Sequence, residues 1–116
     1  MRSTAEVLDH HLKCFSARDM EGVLADYSAD AVFFGPEEAP RGPNAIKPAF
    51  EKIVAELAKP GRCFAMKQRL MEGEYVYIVW TSETEDNSYE LASDTFVIQN
   101  GSVRLQAFTA KVQAKH

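Results

Sequence analysis

The apolar residues of this chain change their spacing once, near residue 60, and that change restricts the fold more than any other feature. Before it they recur every three or four residues; after it they alternate every second residue. Helices therefore come first and strands afterwards, which implies an α+β domain. Ser3 or Thr4 can cap a first helix, with Glu6 placed for a capping box. Val7, Leu8, His11, Leu12, Cys14 and Phe15 make its apolar stripe. The pattern predicts a short second helix from Asp19 to Tyr27, with Met20, Val23, Leu24 and Tyr27 buried. Ala31 to Phe34 reads as a strand stopped by Gly35-Pro36, and residues 36–43 read as a loop. A third helix is expected from Pro43 to Ala58, ended by Pro60-Gly61, with Ile46, Phe50, Ile53, Val54 and Leu57 on one face. Pro48 falls near its first turn, where a missing backbone donor does little harm.

The second half reads as four strands: Cys63 to Met71, Tyr75 to Glu83, Tyr89 to Gln99 and Ser102 to Gln113. Thr84 to Ser88 is a polar turn, and Asn100-Gly101 is a strong hairpin signal. Three helices over one face of a curved, mainly antiparallel sheet would enclose a cone. With 116 residues, residues 1–116 are expected to form a single domain with one core or a small cavity.

Composition removes several classes of function. The net charge is -4, whereas a binder of phosphate backbones normally carries a basic field, so no nucleic-acid partner is expected. No apolar run approaches the roughly 20 residues of a membrane helix. The N-terminus turns polar at once, unlike a signal peptide, so a cytoplasmic location without membrane association is expected. Cys14 and Cys63 then read as two reduced thiols. His10 and His11 point about 100° apart on a helix and cannot share one metal. No His-x-x-x-His spacing exists, and His10 is expected in solvent. Lys47, Lys52, Lys59, Arg62, Lys67 and Arg69 read as a solvated face rather than a basic run. Isolated glycines make no phosphate loop, and the serines lack a nucleophile elbow. Neither metal nor cofactor is expected.

Three stretches carry a family resemblance: "ARDMEGVLADYSADAVFFGP", "RGPNAIKPAF" and "SDTFVIQNGSVRLQAF". With the spacing of Asp19, Glu21, Tyr27, Asp30 and Ala31, the chain resembles bacterial-type members of the nuclear transport factor 2-like superfamily. That superfamily includes the SnoaL-like and ketosteroid isomerase-like proteins. The resemblance implies a cystatin-like cone and often a homodimer through the open sheet face, for which Tyr75, Tyr77 and Tyr89 would be suited. It does not fix an activity, because this fold hosts isomerases, dehydratases, hydrolases, carriers and assembly modules. The steroid isomerase pattern needs an aspartate base after the first strand, a tyrosine from the first helix and a second aspartate on a later strand. On that pattern Gly35 falls at the base, His11 at the tyrosine and Asp94 at the oxyanion-stabilising acid. Tyr27 matches a supporting tyrosine, and Phe50 replaces another. With the base missing, steroid isomerisation by that mechanism is rejected.

The residues themselves leave His11 and Asp94 as the sharpest catalytic pair. His11 sits on an apolar helical stripe, and Asp94 shares a strand face with Phe96 and Ile98. An ionised aspartate there is costly unless paired. A carboxylate bonded to one ring nitrogen would free the other for proton transfer. The alternative is a satisfied core aspartate and a packed histidine. Phe15, Tyr27, Phe34, Phe50, Trp80, Phe96 and Phe108 come from different elements and face inward, with Gln106 and also Glu90 as further polar candidates. They read either as plain core or as an apolar pocket for a small apolar or amphipathic molecule. Three readings stay open: an isomerase- or lyase-type enzyme, a non-catalytic carrier, and a dimeric assembly module.

Overall fold

The structure, a computed structural model, describes residues 1–116. The helices are α1 (Thr4–Ser16), α2 (Met20–Ala25) and α3 (Pro43–Leu57). The strands are β1 (Tyr27–Phe34), β2 (Cys63–Glu72), β3 (Tyr75–Glu83), β4 (Asn87–Gln99) and β5 (Ser102–Ala114). All five join one sheet in the order β1-β5-β4-β3-β2. Every neighbouring pair is antiparallel except β1 and β5, which run parallel. The helices close one face of the curled sheet, giving an α+β cone.

Local chemistry sets the element ends. Ser3 Oγ accepts from the Glu6 amide at 3.1 Å, and the Glu6 carboxylate accepts from the Ser3 amide at 2.9 Å. Two of the free donors at the start of α1 are thereby satisfied. Asp19 caps α2 by accepting from the Gly22 amide at 2.9 Å. A Cβ on Gly22 would stand 2.7 Å from Cys14 Sγ, so glycine permits the close crossing of α1 and α2. Asn100 and Gly101 have φ of 52° and 74°, the left-handed pair a two-residue hairpin of this hand requires. Pro48 lies in the second turn of α3 rather than the first.

Two boundaries differ from the sequence expectation. The second helix stops at Ala25, and Tyr27 opens β1 instead of completing a helical face. The Val103 amide donates to the Asp26 carbonyl at 2.7 Å, so the chain is already engaged with β5 there. The register between β1 and β5 then shifts between Tyr27 and Val32. Ser28, Ala29 and Asp30 therefore form an irregular stretch that offers no alternating pattern to read. The strand β4 begins at Asn87, two residues early, because its pairing with β5 extends to Asn87 and Ala114.

The core packs between the helices and the inner sheet face. Phe50, fully buried on α3, meets the rings of Phe15, Tyr27 and Phe33 edge-on at 5.0–5.4 Å. Such edge-to-face contacts add to the burial of each ring. At the C-terminal end of α3 a polar network pins the helix to the β3–β4 turn. Glu56 accepts from Thr84 Oγ1 and from the Asn87 side-chain amide, and it pairs with Lys59. Lys59 also reaches Asp86 at 2.9 Å. The hydrogen bonds from Thr84, Asn87 and Lys59 lower the Glu56 pKa despite the opposing effect of burial.

Candidate functional site

Between the helices and the inner sheet face lies a part-open cavity of about 170 Å³. It compares with the roughly 150 Å³ apolar cavity that suffices for benzene. Helix α1 contributes His11, Leu12, Phe15 and Ser16, and α3 contributes Ile53 and Leu57. The start of β2 gives Arg62, Phe64 and Met66. The inner strands give Ile78, Trp80, Asp94, Phe96, Gln106 and Phe108. Ile78, Trp80, Asp94, Phe96 and Gln106 point inward by strand alternation, with their neighbours on the outer face. The wall is aromatic. Trp80 stacks on Phe108 at 6.2 Å and on Tyr89 at 6.0 Å, and Phe64 leans on Trp80 at 5.6 Å. The His11 ring meets Phe15 and Phe96 edge-on at 4.9 and 5.2 Å.

The polar groups at the inner end form one chain. Asp94 accepts from Trp80 Nε1 at 2.9 Å and from Gln106 Nε2 at 2.8 Å. Tyr27 donates its hydroxyl proton to Gln106 Oε1. The Tyr27 oxygen lies 3.5 Å from His11 Nδ1. Every link in this chain has a fixed direction. A carboxylate only accepts, so the Gln106 amide nitrogen must face it. The Gln106 oxygen then accepts from Tyr27, and Tyr27 has a single proton to give. The contact with His11 therefore needs Nδ1–H as the donor, which leaves a lone pair on Nε2.

That Nε2 has no protein partner, yet no fully buried side-chain nitrogen or oxygen is left unpaired. It consequently touches accessible space, which here is the cavity. Burial lowers the His11 pKa to about 4, against the opposing attraction of Asp26 and with help from His10. The ring is neutral at pH 7. Burial raises the Asp94 pKa, and the hydrogen bonds from Trp80 and Gln106 oppose that rise. Burial first, then the charges of Asp94 and Asp26, push the Tyr27 hydroxyl well above its ordinary value, so it stays a donor.

Several expected placements need correction. His11 and Asp94 do not bond directly; Tyr27 and Gln106 stand between them. Phe34 is 45% exposed on the outer side of β1, while its neighbour Phe33 is buried, so the inward parity is the reverse of the one expected. Phe50 and Tyr27 lie behind the cavity rather than lining it. Glu90 is exposed and pairs with Lys111 at 3.3 Å. Tyr89 leaves the outer face, because a register shift between Tyr89 and Leu91 turns it inward onto Trp80. His10 is not simply solvated: its Nδ1 lies 2.7 Å from the buried Asp26 carboxylate.

His10 also lies beside Cys14, giving a set that looks like a nucleophilic triad. The sulfur is 3.5 Å from Nε2 and 3.9 Å from Nδ1, so it sits over the ring rather than in line with either nitrogen. Burial and the charges of Asp19 and Asp26 raise the Cys14 pKa, the opposite of activation. No cluster of three His, Cys, Asp or Glu side chains is placed to hold a metal ion. No helix is long and apolar enough to cross a membrane.

Reasoning from sequence missed Leu12, Ser16, Ile53, Leu57, Arg62, Phe64, Met66 and Ile78 as lining. Ile53 and Leu57 carried a signal, since they share the apolar face of α3 with Ile46 and Phe50. Arg62 carried none, being one cation in a scattered set.

The helices and the partly hollow curled sheet define an NTF2-like cone domain. The chain belongs to the SnoaL-like domain family, whose model matches residues 8–105. Solved structures agree with the fold. An NTF2-like protein of unknown function from Cytophaga hutchinsonii superposes with a TM-score of 0.75 at 12% identity, covering 96% of this chain and 92% of its own. A candidate ketosteroid isomerase from Kribbella flavida gives 0.76 at 12% identity, covering 93% and 77%. TerC, co-crystallised with polyporic acid, gives 0.76 at 17% identity, covering 93% and 91%. At these identities the likeness shows the fold alone. No curated protein matches the chain significantly in sequence.

Proposed function

We propose that the cavity binds a small, mostly apolar ring compound and that His11 Nε2 acts as a base on it, in an isomerase- or lyase-type proton transfer. The observation that carries this reading is the unpartnered Nε2 facing an aromatic cavity, its tautomer set by a chain ending on Asp94. A bound carbonyl compound would present a neighbouring C–H to Nε2. The proton would pass to the ring nitrogen, the C–H electron pair would form an enolate, and the proton would return at another carbon. The imidazolium formed would donate from Nδ1 toward Tyr27, so the Asp94 charge would offset part of its burial cost. No steroid-sized substrate is implied, since the cavity holds about one ring. A carrier that only holds such a ligand is the second reading, favoured by the low basicity of His11.

Deuterium exchange separates the two. Wild-type protein in D₂O with cyclohexanone should exchange the protons beside the carbonyl faster than buffer alone, read by NMR. His11→Gln should lose that exchange and keep ligand binding, read by the emission of Trp80, the sole tryptophan. Binding without exchange in the wild type would leave the carrier. No binding of any small ring compound would sink both.

We also propose that two copies pair through the outer sheet face. Leu70, Tyr75, Tyr77 and Leu91 are 42–60% exposed on three adjoining strands, a row well suited to a second copy. Light scattering should give twice the chain mass, and Tyr77→Arg should halve it. A monomeric wild type would end this proposal.

A further inference from the structure

We infer that the cavity selects ring compounds bearing an anionic group, and that Arg62 receives that group at the mouth. This rests on the cavity being a ligand site, and it adds the charge class of the ligand. Arg62 lines the cavity and is exposed. Its guanidinium lies 5.9 Å from the centre of the Phe64 ring, which in turn leans on Trp80. A cation therefore stands at the outer end of the aromatic wall, opposite the His11 lone pair at the inner end.

No acidic side chain neutralises it. Of the acids on the neighbouring β3–β4 turn and at the ends of α3 and β3, Glu85 makes no side-chain bond to Arg62, and the other three are taken by other cations. Glu56 and Asp86 hold Lys59, and Glu83 holds Lys115. Four of the six arginines are engaged: Arg2, Arg69 and Arg104 with carboxylates, and Arg41 with the Asp30 carbonyl. Arg62 makes no such bond.

The segment carrying it is also anchored on both sides. The Glu85 amide donates to the Pro60 carbonyl at 2.9 Å, and Ser82 Oγ donates to the Cys63 carbonyl at 2.6 Å. Gly61 supplies the positive φ of 76° that brings the chain round between them. The backbone of Arg62 is thus held in place before any ligand arrives, and its side chain is free to turn over the mouth. A guanidinium so placed recognises a carboxylate with paired donors. The matching ligand is a single ring with a hydroxyl or carbonyl at one end and a carboxylate at the other.

Two probes of nearly equal shape test this: 4-hydroxybenzoate and its neutral amide, 4-hydroxybenzamide. Binding is followed by Trp80 emission and by ligand-observed NMR. The wild type should bind the carboxylate about fivefold more tightly than the amide, and added salt should shrink the difference. Arg62→Gln should bring the two affinities together while leaving that of the amide unchanged. Equal or reversed affinities in the wild type, or an undiminished difference in Arg62→Gln, would overturn the role of Arg62 and leave the cavity reading standing. Absence of binding by both probes would overturn the cavity reading as well.

Discussion

Asp26 and Asp94 are two buried carboxylates that the molecule surrounds in opposite ways. Asp26, wholly buried, accepts from Arg2 Nη1 at 2.7 Å and lies against His10 Nδ1 at 2.7 Å. Its backbone carbonyl takes the Val103 amide, and Arg2 also donates to the Gly101 carbonyl. One residue so ties the N-terminus, α1 and the β4–β5 hairpin together. Asp94 meets only neutral donors, and its charge is passed on through Gln106 and Tyr27 to a histidine at a cavity. A carboxylate held between an arginine and a histidine closes a structure. One matched with neutral donors keeps its field available, and here that field sets which nitrogen of His11 faces the cavity.

The largest test of this contrast is Asp26→Ala. Breaking a buried charged cluster should cost about 3–5 kcal/mol, measured by urea unfolding followed on Trp80. Ligand affinity at the cavity, none of whose lining residues bonds to Asp26, should persist in the folded fraction. Wild-type stability in this variant would erase the distinction.

The next test uses pH. The folded protein holds His11 neutral down to about pH 4, while the unfolded chain takes up that proton below 6.5. The unfolded state therefore binds more protons between these values, and stability falls as pH falls from 6.5 toward 4. The His11 contribution over that limb should reach about 3 kcal/mol. In His11→Gln the slope from pH 6.5 to 4.5 should flatten. An unchanged slope would show that His11 is not held neutral by burial.

The smallest energetic effect, and the sharpest chemical one, belongs to Asp94→Asn. Removing a buried charge while keeping an acceptor for Trp80 should shift stability by less than about 1 kcal/mol. The new amide nitrogen would face Gln106, which must then turn its own amide over. Tyr27 would receive a donor and point its proton at His11 Nδ1, moving the ring proton to Nε2. Nitrogen-15 NMR of the imidazole should show the tautomer change. The same tautomer in both proteins would disconnect Asp94 from His11.

Much of the fold was readable because the apolar period changes once and Asn100-Gly101 marks the last hairpin without ambiguity. The inward faces of β3, β4 and β5 followed from strict alternation, which brought Trp80, Asp94, Phe96, Gln106 and Phe108 to the cavity wall. Alternation failed wherever the register slips. Phe33 and Phe34 are adjacent, and only the pairing of β1 with β5 decides which one turns inward. Tyr89 was displaced by a bulge that leaves no residue signature. His10 was misplaced for another reason: α2 and Asp26 cover a second face of α1, and a single-stripe reading of a helix has no place for it. The chain linking His11 to Asp94 crosses α1, β1, β4 and β5, so its members could be named separately but not connected.

The pairing of β1 with β5 also governs how the molecule can be made. Tyr27 meets Val103, and Phe33 meets Gln106, across more than half the chain. The segment after β1 folds back on its other edge, where Val32 bridges to Arg41, but the edge that meets β5 has no local partner. A chain emerging from the ribosome must hold the β5-facing edge of β1 unpaired until β5 has been released, and such long-range pairing slows folding. During that interval the edge of β1 is open to other nascent chains. The strand order thus fixes which edge of the sheet is the last to close during synthesis.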